Sequence, residues 1–438
     1  MFSTPQPDST HAVRCDECGP RVRYSGELGA GKLSLPRLFW VRVYHMSEPA
    51  KVKKEKLSGS SQGPFSVWQG MTFPMWLRFL AMRPPMDWTQ AARIAICTGC
   101  NINNSISGLA ERLIYGRAIQ NTQISSPPVF ILGHWRSGTT WLHNMLAEDQ
   151  RFVTPNTYQV LNPHHFLLTE STTTKLTKWL LPATRPMDNM KVSWSAPQED
   201  EMALLNLTLI SPYFLLAFQG DRKHYKDFFD LDNLPTADRE MWKREFLYFL
   251  KKITLKSHGK QLLLKSPSHS YRIPIIQEMF PDAHFINIVR NPYAVYNSSV
   301  HLRRKLFVAN GLARPNFVGM EEDMCVCYEE LFKRYHATRE MVAPNRLVEL
   351  RYEELEEDPV REMRRIYDHF GWENFAPVEA AINKQLEGLR EYKKNEFVMD
   401  PEVKRRVYNR FKDVFERYNY PSDLEPEQPA SVPMRRAV

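Results

Sequence analysis

Residues 128–142 read Pro-Val-Phe-Ile-Leu-Gly-His-Trp-Arg-Ser-Gly-Thr-Thr-Trp-Leu. A short apolar run, Val129 to Leu132, enters a turn opened by Gly133 and closed by Gly138. The pattern Trp141, Leu142, Met145, Leu146 then takes on helical spacing. A strand, a glycine-bounded loop and a helix N-terminus form an anion cradle, because free backbone N–H groups and the helix dipole converge there. The spacing Gly133-x4-Gly138 is that of a P-loop, but Thr139 stands where the phosphate-binding lysine would follow. The loop's cation is Arg136 instead. A nucleoside triphosphate thereby loses its main point-charge partner, whereas a smaller 5′ anion is well served by Arg136, Ser137, Gly138, Thr139 and Thr140.

A second segment has the same form. His284 to Arg290 reads as a buried strand, and Asn291-Pro292 opens a helix with proline in its first turn. Arg290 at the strand end and Ser298 on the helix suit a phosphate dianion, the guanidinium giving charge and paired donors.

The loop (Arg136, Ser137, Thr139, Thr140, Trp141) and the Arg290/Ser298 pair together resemble the sulfotransferase family. The likeness is closest to its broad, largely bacterial branch with Gly-His-x-Arg-Ser-Gly-Thr-Thr loops, and spans roughly residues 126–415, a one-domain length. It implies a P-loop-NTPase-like α/β fold, a parallel sheet flanked by helices in a single main domain. It also implies 3′-phosphoadenosine-5′-phosphosulfate as co-substrate. The loop and Trp141 would hold the 5′-phosphosulfate, and Arg290 with Ser298 the 3′-phosphate. No metal is called for. Strands expected at 128–132, 261–265, 284–290 and 346–350 alternate with helical patterns, which is independent support for a parallel sheet.

Gln261 to His269 (Gln-Leu-Leu-Leu-Lys-Ser-Pro-Ser-His) also matches the family in position. In the mammalian cytosolic enzymes, the residue aligned with Pro267 is the catalytic histidine. Proline has no proton to exchange, so the base must lie elsewhere. Ser195-Ala-Pro-Gln198 reads as a capping box, placing Glu199, Asp200 and Glu201 in the first turns of a helix. Glu199 or Glu201 is then a candidate base, Glu201 favoured by desolvation against Leu204 and Leu205. Equally, the three acids simply complement the helix dipole. His269 is the second candidate. Lys265 reads either as the group approaching the bridging oxygen of the donor or as a lysine at a strand end.

The remaining chain bounds these readings. At 438 residues, with 43% hydrophobic and 12% aromatic residues, it can bury a large core. A net charge of +8 with 50 acidic residues interspersed suits an anionic donor and does not call for nucleic acid. Residues 1–70 read as a flexible leader, 71–125 as a helical lead-in, 126–420 as the transferase domain and 421–438 as a disordered tail. The longest apolar stretch, Leu204 to Phe218, is interrupted by Asn206, Thr208 and Ser211-Pro212, hence a buried helix rather than a span. The expected location is cytoplasmic, with peripheral membrane contact by the lead-in's Trp, Phe and Met residues as the alternative to core packing. Cys15/Cys18 and Cys97/Cys100 are C-x-x-C pairs about 80 residues apart, too distant for ribbon-type zinc spacing. Cys325 and Cys327 read as packing residues.

The reading is therefore sulfuryl transfer to an acceptor hydroxyl carried by a small molecule, a lipid or a glycan. The alternatives are a P-loop kinase or NTPase and a nucleotide-binding relative without catalysis. No oligomeric state is assigned by sequence.

Overall fold

The computed structural model describes residues 66–177, 179, 193–389 and 399–424, all within the compact unit Gly59–Val438. The expected leader up to residue 65, the pair Cys15/Cys18 and the tail beyond 424 lie outside the described residues.

Five parallel strands make one sheet: β1 (Val129–Leu132), β2 (Phe152–Val153), β3 (Gln261–Lys265), β4 (His284–Val289) and β5 (Leu347–Arg351), in the order β2-β3-β1-β4-β5. β1 is central, and all four of its residues are buried. Its alternate side chains feed opposite faces, as a period of two requires. Phe130 and Leu132 join Trp242, Phe246 and Phe249 of helix Thr236–Lys256 on one face. Val129 and Ile131 join Leu142 and Met145 of helix Thr139–Leu146, with Met363 and Ile366 of helix Pro359–Phe370, on the other. β3 lies on one side of β1 and β4 on the other, so the chain crosses over β1 between them. The crevice at the carboxyl ends of these strands is where open α/β sheets bind ligands.

A third core packs the lead-in on this end of the molecule. Trp68 stacks on Phe79 at 4.6 Å and meets Phe214 edge-on, and Tyr213, Phe307 and Tyr328 belong to the same cluster. The lead-in consists of a short turn Val67–Gly70, helix Phe73–Ala81 and a long helix Ala91–Asn121.

Several local expectations are corrected. β2 was not anticipated, being two residues long. β4 ends at Val289, leaving Arg290 just beyond the strand, and β5 is shifted by one residue to 347–351. Ser195 does not cap a helix: its hydroxyl pairs with Ser193, and the helix starts at Glu201 with Asp200 as N-cap. The Leu204–Phe218 stretch is not one helix but two buried ones, Glu201–Thr208 and Leu215–Phe218. Leu209 adopts a left-handed conformation (φ 60°) and Ser211-Pro212 restarts the chain. Among the described residues no single helix is long and apolar enough to cross a membrane. After β3 the chain makes a 3-10 turn, Pro267–Tyr271, followed by helix Ile273–Met279. Asn291 caps its helix as expected by accepting from the Tyr293 N–H, and Asp358 caps the helix Pro359–Phe370 by accepting from the Arg361 N–H.

Candidate active site

The loop 133–138 joins β1 to helix Thr139–Leu146 and is bent by three residues of positive φ. Gly133 lies at 136°, where only glycine is at ease, and its N–H donates to Ser270 Oγ at 2.9 Å. Gly138 lies at 99° and serves as N-cap. A Cβ there would come within 2.3 Å of the Tyr352 ring, so glycine is required by both strain and space. Arg136 adopts 72°, a conformation costing about 1–2 kcal/mol for a side-chain-bearing residue. Such strain is tolerated where it aims a group.

That group goes to the second anion segment. Arg136 Nε donates to Ser298 Oγ at 2.7 Å, and Arg290 Nη1 donates to the Arg136 carbonyl at 3.3 Å. Arg290 is braced from behind, its guanidinium 4.0 Å from the Tyr352 ring centroid. The two segments, 154 residues apart, thus form one cationic cluster beside the helix N-terminus opened by Thr139 and Thr140. Trp141, on the same first turn, meets Tyr352 edge-on at 6.0 Å. Tyr352 therefore orders three elements of the site at once. Sequence reasoning passed over it, since nothing separates it from an ordinary aromatic residue after a strand.

The acidic trio and the segment after β3 interlock residue by residue. Lys265 Nζ donates to Glu199 Oε1 at 2.7 Å and reaches Thr140 Oγ1 at 3.5 Å. Ser266 Oγ donates to Asp200 Oδ1 at 2.9 Å while accepting from the Glu201 N–H at 3.0 Å. His269 Nε2 pairs with Asp200 Oδ2 at 2.7 Å. Ser268 donates to Glu201 Oε2 at 2.5 Å, and Arg272 forks onto both Glu201 oxygens at 2.6 and 3.3 Å. Burial pushes the Asp200 carboxyl up, but the charge and hydrogen bond of His269 and the bond from Ser266 outweigh it and hold it below the usual range.

This arrangement sorts the candidate bases. Glu201, His269 and Asp200 are fully buried, each tied to interior partners. The desolvation expected at Glu201 is real, yet a guanidinium fork answers it. Glu199 keeps about a seventh of its side chain exposed (14%) and faces Lys265 on one oxygen. Its other oxygen accepts from the Tyr213 hydroxyl. Burial, then the charge of Glu199, raise Tyr213 well above its ordinary value, so it stays a donor.

Tyr213 also lines a narrow pocket of about 30 Å³, with walls from Trp135, Leu215, Leu216, Leu302, Leu306 and Met324. His134, at its side, accepts no proton readily: burial drives it down to about 3. Its Nδ1 bonds the Trp135 carbonyl at 2.8 Å as donor, leaving Nε2 a bare acceptor without a partner. Elsewhere, Cys97 and Cys100 sit on the long lead-in helix as free thiols, and Cys325 and Cys327 are buried. Among the described residues no group of three or more His, Cys, Asp or Glu is placed to hold a metal ion.

Residues 127–377 match the family model described as Sulfotransferase family. The chain is similar to omega-hydroxy-beta-dihydromenaquinone-9 sulfotransferase Stf3 of Mycobacterium tuberculosis. The two are 36% identical over 367 residues, 84% of this chain and 94% of the relative. Stf3 of Mycobacterium bovis matches to the same extent. Among solved structures, sulfotransferase STF9 from Mycobacterium avium shares the fold, with a TM-score of 0.59 at 18% identity over 76% of this chain and 86% of that one.

Proposed function

The chain belongs to the sulfotransferase family, and we propose a division of labour among the residues of its site. The protein is a transferase moving a sulfuryl group from 3′-phosphoadenosine-5′-phosphosulfate to an acceptor hydroxyl by in-line displacement. The donor supplies an activated sulfuryl group whose leaving group is a 5′-phosphate.

The loop N–H groups, Thr139 and Thr140 hold that phosphate, and Arg136, Arg290 and Ser298 hold the rest of the donor's phosphate charge. The observed joining of Arg136 to Ser298 and of Arg290 to the loop carbonyl supports one continuous anion site rather than two. Lys265, enclosed between Thr140 and Glu199, is placed to neutralise charge on the departing oxygen. Glu199 takes the acceptor proton. Tyr213 and Lys265 fix its carboxylate so that one geometry is presented, which is what general-base work needs. Asp200, Glu201, His269 and Arg272 hold the turn that carries Glu199.

We infer further that the acceptor is a hydrophobic alcohol of the lipid class. The pocket beside Tyr213 is walled mainly by leucine, methionine and tryptophan, and the relatives with 36% identity are named for a menaquinone-derived acceptor. The observation that carries the mechanism is Glu199 bridging Lys265 and Tyr213, where the phosphate loop meets this apolar pocket. Labelled-sulfate transfer onto isoprenoid alcohols, with glucose and phenol as competitors, tests it. Transfer only to glucose or phenol would overturn the acceptor class. ATP hydrolysis with Mg²⁺ at an enzyme-like rate would overturn the donor assignment.

A further inference from the structure

The long lead-in helix Ala91–Asn121 is amphipathic the wrong way round. Its inward face carries Arg93, Cys97, Asn101, Asn104 and Glu111, all buried. Each of its polar side chains makes at least one partner contact. Arg93 donates to the Gly311 carbonyl at 2.6 Å, Asn101 to the Trp68 carbonyl at 3.1 Å and Asn104 to the Met71 carbonyl at 2.9 Å. Glu111 pairs with the fully buried Lys252. The outward face carries Ile102, Ile106, Leu109 and Leu113, exposed by 43, 68, 62 and 78%. Their spacing of four, three and four residues sets all four on one stripe. A surface helix ordinarily does the opposite, because exposed apolar area is unfavourable in water and buried polar groups cost desolvation. The inversion therefore fits a helix whose outer face meets an apolar phase.

The apolar surface continues beyond the helix. Leu77 on helix Phe73–Ala81 and Met82, Met86 and Trp88 in the connection are also exposed, Trp88 by 81%. Charge in this region is one-sided. Residues 66–121 contain five arginines and two acids. Glu111 is buried in its ion pair, and Asp87 is engaged by Thr89 and the Arg314 N–H. Arg78, Arg83, Arg112 and Arg117 are exposed. An isologous contact with a second copy brings a patch against itself, hence these cations against cations. An anionic lipid surface instead complements both the apolar stripe and its arginines, with tryptophan at home at the interface.

We propose that the outer face of helix Ala91–Asn121, with Leu77, Met86 and Trp88, docks this protein on an anionic lipid bilayer. The lead-in is bonded to the end of helix Pro292–Asn310, which lines the pocket with Leu302 and Leu306: Trp68 Nε1 donates to the Asn310 carbonyl, and just past the helix the Asp87 N–H donates to the Leu312 carbonyl. Docking thus places the pocket-bearing part of the molecule on the lipid phase. The inference rests on the burial pattern and charge of this helix and stands apart from the acceptor assignment.

Flotation of the full chain with vesicles tests it. Wild type is expected to float with equal parts phosphatidylglycerol and phosphatidylcholine, to float poorly with phosphatidylcholine alone, and to be released by added salt. Ile106→Glu with Leu109→Glu should lower the bound fraction about tenfold, and Arg78→Glu with Arg117→Glu should remove the dependence on anionic lipid. Met341→Glu, at an exposed apolar site outside the lead-in, should change nothing. Unaltered affinity of the variants for adenosine 3′,5′-bisphosphate establishes that they fold. No flotation of wild type with either vesicle overturns the proposal, and so does equal flotation of the Ile106/Leu109 variant. A wild-type dimer that this variant converts to monomer, without vesicle binding, assigns the face to a second copy instead.

Discussion

The Lys265 ammonium lies 2.7 Å from Oε1 of Glu199, and both side chains are nearly enclosed, with 3 and 14% of their surfaces exposed. The same lysine stands over the phosphate loop through Thr140, so in the proposed mechanism one residue couples the two halves of the reaction. Glu199→Gln keeps the shape and the Tyr213 contact but removes basicity. Turnover should fall on the order of a hundredfold to ten-thousandfold, while affinity for adenosine 3′,5′-bisphosphate stays within a few-fold. Near-normal kcat in this variant would return the role of base to another group.

Arg290→Ala removes a guanidinium that is braced by Tyr352 and bonded to the loop. Lost charge-assisted bonds of this kind cost about 1.5–3 kcal/mol, so donor affinity should drop by more than tenfold in calorimetric titration with the bisphosphate. Because Arg136, Arg290 and Ser298 form one cluster, Arg136→Ala and Ser298→Ala should be non-additive. Strict additivity of the two would show that the Arg136–Ser298 bond has no part in donor binding.

The Glu201–Arg272 fork makes the opposite kind of prediction. Arg272 is fully buried, also donates to the Phe228 and Phe229 carbonyls, and lies 5.0 Å from the Trp242 ring. Arg272→Ala leaves the Glu201 carboxylate buried without its counter-charge, which costs about 3–5 kcal/mol. The urea midpoint should fall sharply, and donor affinity of the folded fraction should change little. A large rate loss at unchanged stability would mean that Glu201 acts on the acceptor directly.

The loop and the Arg290–Ser298 segment that meet in this cluster were legible in the chain because each is local. Gly133 to Thr140 and Arg290 to Ser298 each place strand, turn and helix within a few residues, and backbone geometry alone aims them. The different surroundings of the three acidic residues were not legible. Glu199, Asp200 and Glu201 are chemically alike in sequence, and what separates them is which residue of Lys265 to Arg272 each one meets across the fold. Ser266, Ser268, His269 and Arg272 gave a hint, being too many polar residues for an ordinary strand end. Tyr213 and Tyr352 gave none, since their roles depend on tertiary contacts with Glu199 and Gly138. The lead-in's periodicity was visible, but which face turned outward was fixed by Asn101, Asn104 and Glu111 finding partners inside.

Acid should weaken the fold before most carboxylates titrate. Burial drives His134 and His143 down to about 3, with the Lys265 charge adding to the effect at His143. In the unfolded chain both return to about 6.5. Between those values the unfolded state binds protons that the folded state refuses, so stability is fully present above about pH 6.5 and declines as pH falls. Each group contributes a slope of about 1.4 kcal/mol per pH unit, and the two together predict a loss on the order of 4 kcal/mol between pH 6.5 and 5. Urea unfolding followed by tryptophan fluorescence should show the midpoint dropping over this range. His143 is fully buried, and His164, His165 and His336 are likewise driven down to about 3 or 4, so His143→Leu should remove one share of the pH dependence while leaving pH 8 stability nearly intact. A midpoint that stays level from pH 7 to 5 in wild type would mean that these imidazoles take up protons inside the fold.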